Sequence, residues 1–162
     1  MKTLVLGLGN ELYGDDGIGI HIVRLARESL KTHQEILPDE ENINFKECSL
    51  SGLALLDVIV DCDNLVIIDT IKRTNPVTGK IRVFDVTQLR HIPGPSPHYV
   101  SVPQTIEIGK TLGLKVPTQI KIIAVEAKNM YNLGEGLSPK MKEAIPKIIQ
   151  ELKSLLKELH KT

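Results

Sequence analysis

Two neighbouring carboxylates, Asp15 and Asp16, stand where a glycine-rich turn gives way to a helical pattern, and carboxylates in that setting can grip a cation. The stretch Leu4-Val5-Leu6-Gly7-Leu8-Gly9-Asn10-Glu11-Leu12-Tyr13-Gly14-Asp15-Asp16-Gly17-Ile18-Gly19 reads as a strand, a loop and a helix start. In an open α/β sheet such a loop lies at the carboxyl edge of the strand, where ligands bind. Gly7-Leu8-Gly9 opens like a dinucleotide fingerprint, but Leu12 occupies the place of the third glycine. Glu11, Asp15 and Asp16 would also oppose a pyrophosphate. No nucleotide is expected. Aspartate is equally a preferred helix cap, and acids favour a first turn, so one of the pair is expected to cap the helix that starts here. The other is then left for chemistry.

Two further groups could share that chemistry. Leu65-Val66-Ile67-Ile68 is a continuous apolar run that suits a strand buried on both faces, and it ends at Asp69. A carboxylate is tolerated there where the strand emerges at the carboxyl edge, although Asp69 could also simply begin the turn toward Asn75-Pro76. His98 lies in a proline-studded segment, 87 to 102, with prolines at 93, 95 and 97.

The elements that must position these groups follow from periodicity. Ile18, Ile22, Leu25, Ala26 and Leu30 predict a helix over 16–31, and Ile43 and Phe45 a half-buried strand. Leu53, Leu56, Ile59 and Val60 predict a short helix to about Asp61. Residues 80–86 alternate as a strand only about ten residues after the previous one, which is short for a parallel crossover and predicts an antiparallel pair. A helix capped by Ser101 should run to about Leu112, and Ile120 to Val125 forms the last strand, ending at Glu126. Ser138-Pro139 then opens a long helix, with Pro146 expected to kink it. With the 101–112 helix descending and the last strand rising, topology carries His98 to the edge that holds Asp16 and Asp69.

Composition narrows the classes. The 162 residues suit one domain, 1–162, able to bury a core without staples. Twenty basic and twenty acidic residues balance to zero net charge, which gives no attraction to nucleic acid or to an anionic membrane. Cys48 and Cys62 lack CxxC spacing and read as small buried hydrophobes of a reducing compartment. No apolar run is long enough to span a bilayer, and Met1-Lys2 leads straight into the first strand. The expectation is a cytoplasmic monomer with no nucleic-acid or membrane partner. His21, His33 and His160 are expected at the surface or at helix ends.

Two carboxylates and an imidazole from separate loops make a mixed oxygen and nitrogen donor set, suited to a borderline divalent ion such as nickel or zinc. Acids at sheet edges and a loop histidine are also common without any metal.

The motifs Gly7-Leu8-Gly9-Asn10 and Gly14-Asp15-Asp16-Gly17-Ile18-Gly19 resemble the opening of the hydrogenase maturation proteases. The likeness continues through Asp69, Ser96-Pro97-His98-Tyr99-Val100-Ser101, Glu126 and Gly136-Leu137-Ser138-Pro139, in order and over nearly the whole chain. It implies a three-layer α/β/α sandwich, phosphorylase/hydrolase-like, on a mixed five-stranded sheet with one antiparallel strand. It implies an aspartic-type endopeptidase that trims the carboxyl terminus of a nickel-iron hydrogenase large-subunit precursor. Asp16, Asp69 and His98 would be its metal-binding and catalytic residues, engaging nickel already carried by the precursor. A non-catalytic docking or metal-sensing module for the large subunit is the alternative. The chain departs from the family pattern at Cys48-Ser49-Leu50-Ser51-Gly52, where many members have a glycine-rich turn, and at Thr70, where alanine is common. Either departure could change which large subunit is accepted.

Overall fold

Strand β1 (Thr3–Leu8) is buried at every position, as an apolar run flanked on both sides by other strands must be. The computed structural model describes residues 1–31, 40–50, 52–86, 97–128, 133–134 and 136–161, and at residues 30, 31 and 97–101 the backbone alone. Among these residues five strands form one sheet in the order β2-β1-β3-β5-β4, with β2 (Ile43–Cys48), β3 (Asn64–Ile71), β4 (Ile81–Asp85) and β5 (Gln119–Glu126). The β1–β2, β1–β3 and β3–β5 pairs are parallel, and β4 lies antiparallel on the edge. The antiparallel direction of β4 agrees with the short connection that precedes it. Its partner, however, is β5 and not β3.

Side-chain alternation along the strands builds two cores. On one face Val5, Val66, Ile68 and Ile123 pack against α1 (Ile18–Lys31) and α4 (Pro139–Leu159) through residues such as Ile22 and Ile148. On the other, Leu6, Ile67 and Ile122 pack against α2 (Leu56–Ile59) and α3 (Pro97–Thr111), including Ile59, Val102 and Ile106. The result is the three-layer α/β/α sandwich that the pattern implies.

Several element boundaries differ from expectation. Helix α1 is preceded by a 3₁₀ turn, Gly14–Gly17, which carries both aspartates. Helix α3 begins at Pro97, four residues ahead of the expected Ser101 cap, so His98 sits in a helical first turn and not in a loop. Proline is well suited to a first helical position because its missing N–H would have no intrahelical partner there. At the other end, Gly113 at φ +72° closes α3, with the Gly113 amide donating to the Lys110 carbonyl and Leu114 to that of Gly109. Helix α4 is one continuous element through Pro146.

The topology creates one crevice. The chain leaving β1 turns outward to β2, whereas the chain leaving β3 goes to the opposite side of the sheet, so the carboxyl ends of β1 and β3 mark the point where the winding reverses. The β1–β3 register ends at Gly7 opposite Ile68, while the β3–β5 register continues to Ile71 opposite Glu126. Asp69 is therefore not the last residue of its strand, as the apolar run suggests. It is the first residue of β3 beyond its last partner in β1.

Candidate functional site

The loop after β1 can carry its acids to this crevice only because glycine lets backbone meet backbone. A methyl group at Gly19 would strike the carbonyl oxygens of Leu8 and Ile68, so the first turn of α1 rests directly on the ends of β1 and β3. Gly9, at φ +149°, lies against the Asp16 carbonyl, where no other residue fits. The loop is also stitched to the segment before α4: the Gly14 amide donates to the Gly134 carbonyl at 2.8 Å and the Gly134 amide to that of Leu12 at 2.9 Å.

The two aspartates are both buried and point to different partners. The carboxylate of Asp15 accepts from the Ser138 amide at 2.7 Å and from the Ser138 hydroxyl at 2.8 Å, at the amino end of α4. That end of a helix presents unpaired N–H groups and the positive pole of the dipole, so an anion is stabilised there. The expectation that one of the pair caps the helix starting at this loop is thus corrected. No side chain caps the 3₁₀ turn that leads into α1, and Asp15 instead serves the cap of a helix 123 residues away.

Asp16 accepts from the Asn10 amide at 3.0 Å through one oxygen and from the Thr70 hydroxyl at 2.6 Å through the other. Both donors are uncharged, so the negative charge of Asp16 is held in place without being neutralised by them. Asp69 is fully buried, and one of its oxygens accepts from the Thr70 amide at 2.7 Å. Alternation along β3 puts Thr70 on the face of α1, with Ile68, and Asp69 on the face of α3, with Ile67 and Ile71. The two acids thus flank β3 from either side, joined through one residue, Thr70. The third expected ligand, His98, lies in the first turn of α3, on the same side of the sheet as Asp69, but its side chain lies outside the described residues. Among the described residues no group of three His, Cys, Asp or Glu side chains is close enough to hold an ion.

Beside Asn10 lies a cleft of about 310 Å³ lined by Gly9, Leu12, Cys48 and Ser49. Its wall is fixed by Arg24 of α1, whose guanidinium donates to Glu47 of β2 at 2.9 and 3.0 Å and to both oxygens of Glu11 in the β1 loop. These bonds hold the Glu47 carboxyl below the usual carboxylate range and the guanidinium above its own. Glu126, a landmark in sequence, is engaged elsewhere: its carboxylate pairs with Arg82 at 3.1 Å and accepts from the Val77 amide.

The remaining candidates are structural. Cys48 and Cys62 are free and buried, as expected of small hydrophobes. The Cys62 thiol donates to the Ile59 carbonyl at 3.1 Å, and burial pushes its pKa up to about 11, the reverse of a poised nucleophile. His160 caps the carboxyl end of α4, half-buried beside the Thr3 hydroxyl at 3.3 Å, and His33 lies outside the described residues.

Thr70 was legible only as a departure from a pattern. Nothing in the sequence says that its hydroxyl meets Asp16, because the two are 54 residues apart. Being fully buried, Thr70 acts through that carboxylate and not as part of a surface.

A family model described as hydrogenase maturation protease matches residues 24–155. The chain belongs to the hydrogenase maturation protease family. Asp69 and His98 fall inside the matched span, and Asp16 precedes it. Among individual relatives, the chain is 26% identical over 160 residues to the hydrogenase 2 maturation protease of Escherichia coli, covering 98% of this chain and 92% of that one. It is 28% identical over 151 residues to the hydrogenase expression/formation protein HupD of Thiocapsa roseopersicina, covering 92% of this chain and 65% of the relative's length. In fold it superposes on the E. coli endopeptidase HybD with a TM-score of 0.78 at 23% identity, covering 98% and 93% of the two chains. For the nickel-iron hydrogenase maturation protease HybD of Thermococcus kodakarensis the TM-score is 0.70, again at 23% identity, with 96% and 99% covered. The chain therefore shares its fold with these solved structures over nearly its whole length.

Proposed function

We propose that this chain is an endopeptidase that removes the carboxyl-terminal extension from the precursor of a nickel-iron hydrogenase large subunit. The nickel belongs to the substrate: it arrives in the precursor, and its presence marks a subunit ready to be cut. Asp16 and Asp69 offer carboxylate oxygens to that ion and His98 an imidazole nitrogen, a donor set suited to nickel. A divalent ion in such a position polarises a carbonyl or acidifies a bound water. The chain's own part is to hold the acids rigidly at the crevice between β1 and β3, so that the scissile peptide is presented to water beside the ion.

The observation that carries this reading is the state of Asp16. A buried carboxylate is costly unless it is paired, and the described partners of Asp16 are neutral donors that fix it without balancing its charge. A cation delivered from outside meets that need. Asp15, next to it, has its charge met by the amino end of α4 and is not needed for the ion.

We also read the protein as a monomer of the cytoplasm. Two free, buried thiols suit a reducing compartment, and among the described residues no helix is long and apolar enough to cross a membrane.

The test is to incubate the purified chain with nickel-loaded and nickel-free precursor and to read the precursor's mass. Loss of a carboxyl-terminal peptide from the loaded form alone is expected. An unchanged mass with stable complex formation would make the chain a docking module, and cleavage of both forms would remove nickel from the recognition step.

A further inference from the structure

Thr70 touches both acids. Its hydroxyl, with no solvent exposure, donates to one Asp16 oxygen at 2.6 Å, and its amide donates to an Asp69 oxygen at 2.7 Å. The first distance is at the short end for a hydroxyl donating to a carboxylate, where the bond is charge-assisted. A buried hydroxyl must donate somewhere, and here that requirement is met by Asp16, whose other described partner is the Asn10 amide.

We infer that Thr70 is a positioning residue for a divalent ion: its hydroxyl and amide set the directions in which Asp16 and Asp69 present their oxygens to it. This rests on the proposed function, in which those acids meet nickel, and it adds a residue that makes no contact with the ion. With the Thr70 hydroxyl on one oxygen and the Asn10 amide on the other, each oxygen of Asp16 already has one acceptor direction in use. The carboxylate is thereby prevented from swinging and left with a restricted approach for a cation. An alanine at this position would keep the amide bond to Asp69 and lose the restraint on Asp16. The restraint therefore belongs to the Thr70 side chain itself.

Outer partners of metal ligands typically govern affinity by about 10–100-fold. The experiment compares wild type, Thr70→Ser and Thr70→Val by calorimetric titration with Ni²⁺, and in parallel with Cd²⁺, each alongside thermal unfolding without metal. Serine keeps the hydroxyl, and valine replaces it with a methyl group of the same shape. The expected result is that Thr70→Val weakens binding by about 10–100-fold, while Thr70→Ser stays close to wild type. Should valine fail to fold, Thr70→Ala removes the same hydroxyl and is read in its place. A purely structural role would lower the unfolding midpoint of the valine or alanine variant and leave affinity unmoved. Equal affinity in the wild type and the hydroxyl-free variant overturns the inference, as does wild-type binding weaker than millimolar. The proposed function fails separately, when wild-type protein leaves the nickel-loaded precursor uncut.

Discussion

Ser138 gives both its amide and its hydroxyl to Asp15, at 2.7 and 2.8 Å, while the same hydroxyl accepts from the Met141 amide at 3.3 Å as the cap of α4. One side chain thus ends a helix and anchors the loop that carries Asp16. Ser138→Ala removes the cap and leaves half of a buried carboxylate unmet. A loss of about 1–3 kcal/mol is expected in urea unfolding. Ni²⁺ affinity, measured on the folded variant, should change less than it does in Thr70→Val.

Replacing the neighbouring acid should act on processing as well as on stability. In Asp16→Asn the amide oxygen keeps the bond from the Asn10 amide only with the NH2 group turned to the Thr70 oxygen, so the buried Thr70 hydroxyl loses the acceptor it has in the wild type. The fold should lose about 1–3 kcal/mol. Cleavage of nickel-loaded precursor should fall by more than about 100-fold, beyond what the loss of an outer partner produces. Mass analysis of the precursor over time is the measurement, and processing at the wild-type rate would show that Asp16 is not a ligand.

Gly19→Ala tests the seat of α1. The added methyl group meets the Leu8 and Ile68 carbonyls, and backbone cannot rotate aside as a side chain can. The helix must lift from the strand ends, at a cost of about 3 kcal/mol or more. Denaturant unfolding reads that cost directly. Stability within experimental error of wild type would mean that the close approach is not needed.

The ion pair of Arg24 and Glu47 predicts a pH dependence. Arg24 holds the Glu47 carboxyl below its ordinary value of about 4.3, so the pair's contribution is complete above that value and is lost as pH falls through the depressed one. Glu47→Gln should therefore be less stable than wild type near neutrality, with the gap closing as unfolding is followed into acid through the depressed Glu47 value. Because the side chains are partly exposed, high salt should narrow the gap as well.

Much of the fold is legible before any coordinates, for a physical reason. The runs at 4–6 and 65–68 and the spacing of Ile18, Ile22 and Ile148 are set by burial, and burial leaves a periodic trace. The antiparallel direction of β4 follows from the length of a connection, but its partner does not, because any strand lying antiparallel to it would satisfy that length. The start of α3 at Pro97 was obscured because proline signals both a break and a first turn. Within the site, Asp16 and Asp69 could be placed at one edge by topology. Their link through Thr70, and the link of Asp15 to Ser138, are contacts between distant residues that leave no local pattern.

The span between Asp15 and Ser138 also bears on biosynthesis. A growing polypeptide will have displayed positions 16, 69 and 98 well before residue 138 and the helix behind it leave the ribosome. Until then the anchor for the acidic loop does not exist, and a carboxylate destined for the interior lacks its donors. Full seating of the acidic loop is thus coupled to completion of the chain: a nascent or truncated product ending ahead of α4 holds every proposed ligand and lacks the anchor that Ser138 gives to Asp15.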